Sequence, residues 1–232
     1  MSLFVIGDLH LALGCRNKSM DVFGGRWENY VEKLRDGFAA AGVRPGDVTV
    51  LCGDLSWGMD LDGAREDLLF LHRLPGRKII VKGNHDYWWT SAAKMNVFFE
   101  KNGFTTLSIL RNNAYFYGEN AAICGAKGWF YEPSRSTGHD KKLIDREILR
   151  LEASLQAAGE RDKYVFLHYP PKYGNYACRE ILELFRRYNV KVCCSGHLHA
   201  DSLRMAFNGM YEKTRHICVS GDGINFRPCR IL

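Results

Sequence analysis

The chain has 232 residues, 46% of them hydrophobic and 25% charged, with a formal net charge of +6 from 32 Lys and Arg against 26 Asp and Glu. That balance supports one globular domain, residues 1–232, with a sizeable core. The basic residues are spread out and form no arm, which argues against a long nucleic-acid partner, and no stretch is apolar for the length that a membrane span needs.

In chain order, residues 3–7 (LFVIG) read as a first strand, and Gly7, Asp8, Leu9 and His10 end it. The start MSLFVIGDLH has no basic n-region, apolar h-region or cleavage site, so a cytoplasmic location is expected. Trp27, Tyr30, Val31, Leu34 and Phe38 then repeat at helical spacing, with Gly42 as terminator. A second strand, 48–52 (VTVLC), ends in Gly53 and Asp54. A third, 78–82 (KIIVK), is short and β-branched and delivers Gly83, Asn84, His85 and Asp86, followed by Tyr87, Trp88 and Trp89. Residues 114–124 (AYFYGENAAIC) carry a central turn signal and read as an antiparallel pair.

Ile144, Ile148, Leu151 and Leu155, closed by Gly159, predict a helix, and Ile181, Leu184, Phe185 and Tyr188, closed by Asn189, predict another. Between them the strand 164–168 ends in His168, and the strand 191–195 leads into Gly196, His197, Leu198 and His199. An Asn-Gly hairpin signal at 208–209 precedes a last strand near HICVS. Alternating strands and helices with antiparallel additions predict an α/β fold in which two sheets pack together under outer helices. The eight cysteines include no Cys-x-x-Cys pair, and Cys52, Cys124, Cys193, Cys194 and Cys218 sit in apolar runs, so free, buried thiols are expected.

The chemistry lies at the strand ends. One Asp after a Gly is ordinarily a turn and one His is ordinarily structural, and His72 and His216 are read as structural on that ground. Five strand ends that each deliver an oxygen or nitrogen donor are different. Open α/β sheets gather their ligands at that edge. Gathered without cations the donors would be costly to bury, whereas two divalent metals would use every lone pair.

Asp-x-His, Gly-Asp, Gly-Asn-His-Asp, a strand-end His and Gly-His-x-His, in this order over residues 8–199, resemble the calcineurin-like metallophosphoesterases. The resemblance implies a four-layer αββα sandwich, two mixed β-sheets flanked by helices. It implies that Asp8, His10 and His199 hold one divalent ion, that Asn84, His168 and His197 hold a second, and that Asp54 bridges both. His85 is then left free of metal to contact phosphate or protonate the departing oxygen. Nitrogen and oxygen donors suit manganese, iron or zinc. The implied activity is phosphoester hydrolysis by hydroxide that the metals generate from water, on a small or nucleotide-like substrate, with phosphodiesters favoured over monoesters. A phosphomonoesterase or nuclease of the same fold, or a non-catalytic metal-binding scaffold, are the alternatives.

Two departures narrow the family. Leu55, Ser56 and Trp57 stand where its protein phosphatases carry an Asp-Arg pair, and no tyrosine stands beside Asp54 as in its purple acid phosphatases. Without that pair the partner that orients His85 is open, Asp86 being one candidate. Trp57, Tyr87, Trp88, Trp89, Trp129 and Tyr131 could stack on a base or fill the core. Lys127, Arg135, His139, Lys141 and Lys142 could add charge to a lid or simply face solvent.

Overall fold

Leu3, Phe4, Val5 and Ile6 are all buried in β1 (Leu3–Ile6), and their alternation sets the layers. Leu3 and Val5 pack with Val50, Ile79, Phe166 and Cys194. Phe4 and Ile6 point the other way, among Leu34, Phe38, Leu68 and Phe99. A strand covered on both faces reads as an unbroken apolar run, as these sequences do.

The computed structural model describes residues 1–15, 18–129 and 138–232, the side chains of 138–140 excepted. After β1 come α1 (Tyr30–Ala40), β2 (Val48–Leu51), α2 (Arg65–Arg73), β3 (Arg77–Ile80), α3 (Ala92–Lys101) and β4 (Leu107–Ile109). The second half holds β5 (Tyr115–Tyr117), β6 (Ala121–Ala126), α4 (Gly138–Ala157), β7 (Asp162–Leu167), β8 (Lys172–Tyr173), β9 (Tyr176–Ala177), α5 (Arg179–Arg187), β10 (Val192–Ser195), β11 (Gly209–Tyr211), β12 (Thr214–Cys218) and β13 (Cys229–Arg230).

One sheet has the order β13-β1-β2-β3-β4, parallel except for β13. The other runs β11-β12-β10-β7-β6-β5, parallel in its centre with β11 and β5 antiparallel at its edges. The sheets share an inner core, α1, α2 and α3 cover the first, and α4 and α5 cover the second through Leu151, Leu155, Ile181, Leu184 and Phe185. This is the expected αββα sandwich of two mixed sheets. Gly7 bridges Ser220 in parallel fashion, joining the sheets at the edge where β1 ends.

The helix stops expected at Gly42, Gly159 and Asn189 all have left-handed backbone, φ 72, 58 and 51°. All eight cysteines are free. The first helix starts at Tyr30 rather than Trp27, because 3-10 turns at Met20–Phe23 and Gly25–Trp27 precede it and hold the Trp27 ring against His10 and His199 instead. The last hairpin turns between Tyr211 and Thr214, not at Asn208-Gly209; the Asn208 side chain instead accepts the Cys218 N–H, 2.8 Å. Tyr131, Arg135 and the side chain of His139 lie outside the described residues. No helix among the described residues is long and apolar enough to cross a membrane.

Lys78 is fully buried within β3. Its ammonium donates to the carbonyls of His72, Leu74 and Gly76 at 3.2, 2.5 and 2.6 Å, closing the turn between α2 and β3. Burial pushes its pKa down to about 8. Lys78→Met keeps the apolar stem but unpairs three carbonyls, and should lower unfolding free energy by roughly 3 kcal/mol or more in chemical denaturation. A variant as stable as the parent would show that the ammonium does not hold the turn.

Candidate metal centre

The loops after β1, β2, β3, β7 and β10 are strapped to one another before any ligand is considered. Asp8 N–H donates to the Gly53 carbonyl and His10 N–H to that of Asp54, each at 2.9 Å. Asp86, buried, accepts the N–H groups of Asp54 (3.0 Å), Leu55 (2.8 Å) and Gly83 (2.7 Å), and the Trp88 indole N–H (3.0 Å). It therefore ties the loop after β3 to the loop after β2. It does not orient His85, whose Nδ1 lies 3.2 Å from the Tyr87 hydroxyl. The glycines of these motifs are close-approach residues. A Cβ on Gly83 would stand 2.1 Å from Asp54 Oδ1, and one on Gly196 2.4 Å from Asp8 Oδ2.

Asp8, His10, Asp54 and His197 all have positive φ: 52, 45, 53 and 71°. Such conformations cost about 1–3 kcal/mol apiece and gather at functional sites, because only the surrounding packing holds them. Here they turn each side chain off its strand end and into the crevice.

What they face is a set of acceptors. Asp8, His10 and Asp54 bring ligand atoms within 4.8 Å of one another. His10 Nε2 and Asp54 Oδ2 are 3.8 Å apart, both buried and both without a hydrogen-bond partner among the described residues. His168 Nδ1 sits 3.0 Å from the Cys52 carbonyl, which can only accept, so its proton is on Nδ1 and a lone pair is on Nε2. That lone pair meets the Asn84 amide oxygen at 2.6 Å and Asp54 Oδ2 at 3.5 Å. His197 Nδ1 lies 3.0 Å from the same Asn84 oxygen, while its backbone N–H is 2.9 Å from both oxygens of Asp8. His199 packs edge-on to His10, ring centres 5.2 Å apart, and His85 is 5.7 Å from His10.

Burial sets the protonation. It pushes Asp54 up to about 6, and pushes Asp8 well above the usual carboxylate range with the Asp54 charge adding to the effect. It holds His168 and His197 down to about 3 and His10 well below the imidazole range, and it lowers His199. Neutral imidazoles and crowded carboxylates with orphaned lone pairs fit divalent cations.

All eight residues expected at the site, Asp8, His10, Asp54, Asn84, His85, His168, His197 and His199, thus meet in one place. His72 and His216 stand apart, against Thr106 and among Phe185, Phe207 and Tyr211. Trp57 stacks on His10 at 5.0 Å and flanks His85 at 4.9 Å. Trp88 is core, so its faces are not free for a base. Sequence reasoning missed three residues. Tyr169 packs 4.5 Å from His197. Trp27, counted as helix core, walls His10 and His199. Asp222 accepts the Ala200 N–H at 2.7 Å behind His199 and lines, with Trp27, a cavity of about 470 Å³. Trp27 and Tyr169 were detectable only as aromatics near a motif, and Asp222 had no signal.

A family model for calcineurin-like phosphoesterases matches residues 1–201. The chain belongs to that family. Membership and the Asp8–His10–Asp54 group together support a metal-dependent phosphoesterase. Among solved structures, a phosphopantetheinyl hydrolase from Mycobacterium tuberculosis is similar at TM-score 0.59 and 15% identity, over 100% of this chain and 95% of that one. A protein of unknown function from Aquifex aeolicus is similar at TM-score 0.55 and 16% identity, over 99% and 95%. At these identities the likeness carries the fold alone. No curated protein matches the chain.

The lowered pKa values of His168 and His197 give a direct check. A group held low is neutral at every pH above its folded value, so in chelated protein both rings should stay neutral down to pH 5, with His168 protonated on Nδ1. Nitrogen-detected imidazole spectra read this, and a His168 ring that titrates near pH 6 would contradict the geometry.

Proposed function

We propose that this phosphoesterase is a dinuclear hydrolase of small, nucleotide-like phosphoesters, taking phosphodiesters before monoesters, with residues 1–232 acting as one domain. The observation that carries the reading is the convergence of acceptor lone pairs, above all His168 Nε2, Asn84 Oδ1 and Asp54 Oδ2, with the one His168 proton committed to the Cys52 carbonyl through Nδ1. In it Asp8, His10 and His199 would hold one ion, Asn84, His168 and His197 another, and Asp54 both. Two divalent ions bound there supply Lewis acidity, acidifying water and neutralising phosphate charge. Manganese, iron or zinc fit the nitrogen and oxygen donors, and Cys52 offers only its carbonyl.

The remaining roles belong to the chain. The His85 N–H donates to Asp54 Oδ1 at 2.7 Å and so turns Oδ2 inward. The Cys52 carbonyl fixes the His168 tautomer. With the Tyr87 oxygen accepting from Nδ1–H, a His85 imidazolium presents Nε2–H to the leaving oxygen as the P–O bond breaks. Trp57, packed on both His10 and His85, keeps water from that side.

Alkoxide leaving groups need that proton and p-nitrophenolate barely does. His85→Asn should keep metal content and stability, lose roughly 10² to 10⁴ in turnover of an alkyl or ribosyl ester, and lose clearly less on a p-nitrophenyl ester. Equal losses on both would assign His85 to charge stabilisation, lost metal would make it structural support, and a fully loaded protein that turns over no phosphoester would end the reading.

A further inference from the structure

A second cavity, of about 320 Å³, opens on the same edge of the sandwich as the acceptor cluster. Lys82, Arg111, Lys127 and Arg150 line it with Glu147 and Trp89. Lys82 immediately precedes Gly83, Arg111 follows β4 and Lys127 follows β6, so the lining comes from the C-terminal ends of β3 and of the strands next to β3 and β7 in the two sheets. The Lys127 carbonyl accepts the N–H groups of His168 (3.1 Å) and Tyr169 (3.0 Å). Cavity and cluster therefore share walls: the loop that carries Asn84 begins at Lys82, and the loop that carries His168 is hung from Lys127.

The charges in this cavity are unbalanced. Four cations face one carboxylate. Arg150 pairs with Glu147 Oε1. Lys82, Arg111 and Lys127 have no carboxylate within ion-pair distance among the described residues. Lys127 leans instead over the rings of Trp129 and Tyr169, at 4.7 and 5.5 Å. Lys82 and Lys127 are both half-buried in the cavity wall. Glu147 is itself buried, and its Oε2 has no partner among the described residues. Lys82, Lys127 and Arg150 are half-buried around the cavity and Arg111 is exposed; a concave, positively charged wall of this kind focuses potential on an anion.

We infer that this cavity is an anion subsite that takes a second phosphate of the substrate while the scissile phosphate lies on the acceptor cluster. The inference rests on the phosphohydrolase reading and gives it a substrate class: phosphoesters that carry another phosphate, as nucleoside bisphosphates do. Arg111 and Lys82 grip the second phosphate, Lys127 stands between the two sites, and Glu147 restrains Arg150 and accepts from a hydroxyl or amine donor of the substrate.

Two measurements test it. Inorganic phosphate titrated into chelated protein, followed by calorimetry, should bind in the wild type and weaken at least tenfold in Arg111→Ala, whose parent side chain is exposed and whose removal leaves the core untouched. On metal-loaded protein, thymidine 5′-p-nitrophenyl phosphate should gain tenfold or more in kcat/KM, mostly through KM, when a 3′-phosphate is added, and Arg111→Ala or Lys82→Ala should erase that gain. Turnover of the parent diester with no gain from the 3′-phosphate, a gain that survives both variants, or no phosphate binding without metal would each overturn the subsite and leave the phosphohydrolase reading intact. Arg111-dependent phosphate binding in a protein that hydrolyses neither ester would support the anion site and remove the catalytic reading.

Discussion

Acceptor atoms cannot be crowded into a dry crevice without something positive between them. His168 is the sharpest case: the Cys52 carbonyl takes its only proton, which leaves Nε2 as a bare lone pair 2.6 Å from an amide oxygen. His10 Nε2 and Asp54 Oδ2 repeat the situation on the other side of the crevice. Protons do not resolve it, since burial keeps the imidazoles neutral at physiological pH. Divalent cations do, and the rest of the edge is arranged so that the acceptors cannot move apart.

That arrangement is backbone work. Four of the acceptor residues are held in left-handed conformation, and the loops that hold them are laced by Asp86, which gathers three main-chain N–H groups and one indole. Gly83 and Gly196 let carboxylates lie where a Cβ would be. Strain at the strand ends is thereby offset by a fully buried sandwich behind them, with Lys78 closing one turn of that scaffold from within. The unbalanced cations beside the cluster extend the same logic, since a site that neutralises phosphate at its centre gains selectivity from charge placed one group further out.

Much of this was legible in the sequence because the parallel strands are buried on both faces and so announce themselves as apolar runs, and because each run ends in a donor residue. The helix terminators Gly42, Gly159 and Asn189 could be read for the same local reason. What escaped was non-local or weakly patterned. α3 buries only Met95 and Phe99, too narrow a stripe to declare a helix, and β4 and β13 are three and two residues long. Asp86 was visible, but its role depends on Asp54 and Leu55 some thirty positions away. The Asn208-Gly209 signal misled because the asparagine side chain is spent on the Cys218 N–H, and the chain reverses at Glu212, φ 52°, instead. Asp222 comes from a short 3-10 turn, Gly221–Ile224, too brief to leave a periodic pattern.

The central claim is that two cations complete this cluster. Anomalous diffraction at the manganese, iron and zinc edges, from crystals of the protein loaded with each metal after chelation, tests it most directly. Two peaks per chain should appear, one beside Asp8, His10 and His199 and one beside Asn84, His168 and His197, with the Asp54 carboxylate between them. A single peak, or metal bound away from Asp54, would contradict the account.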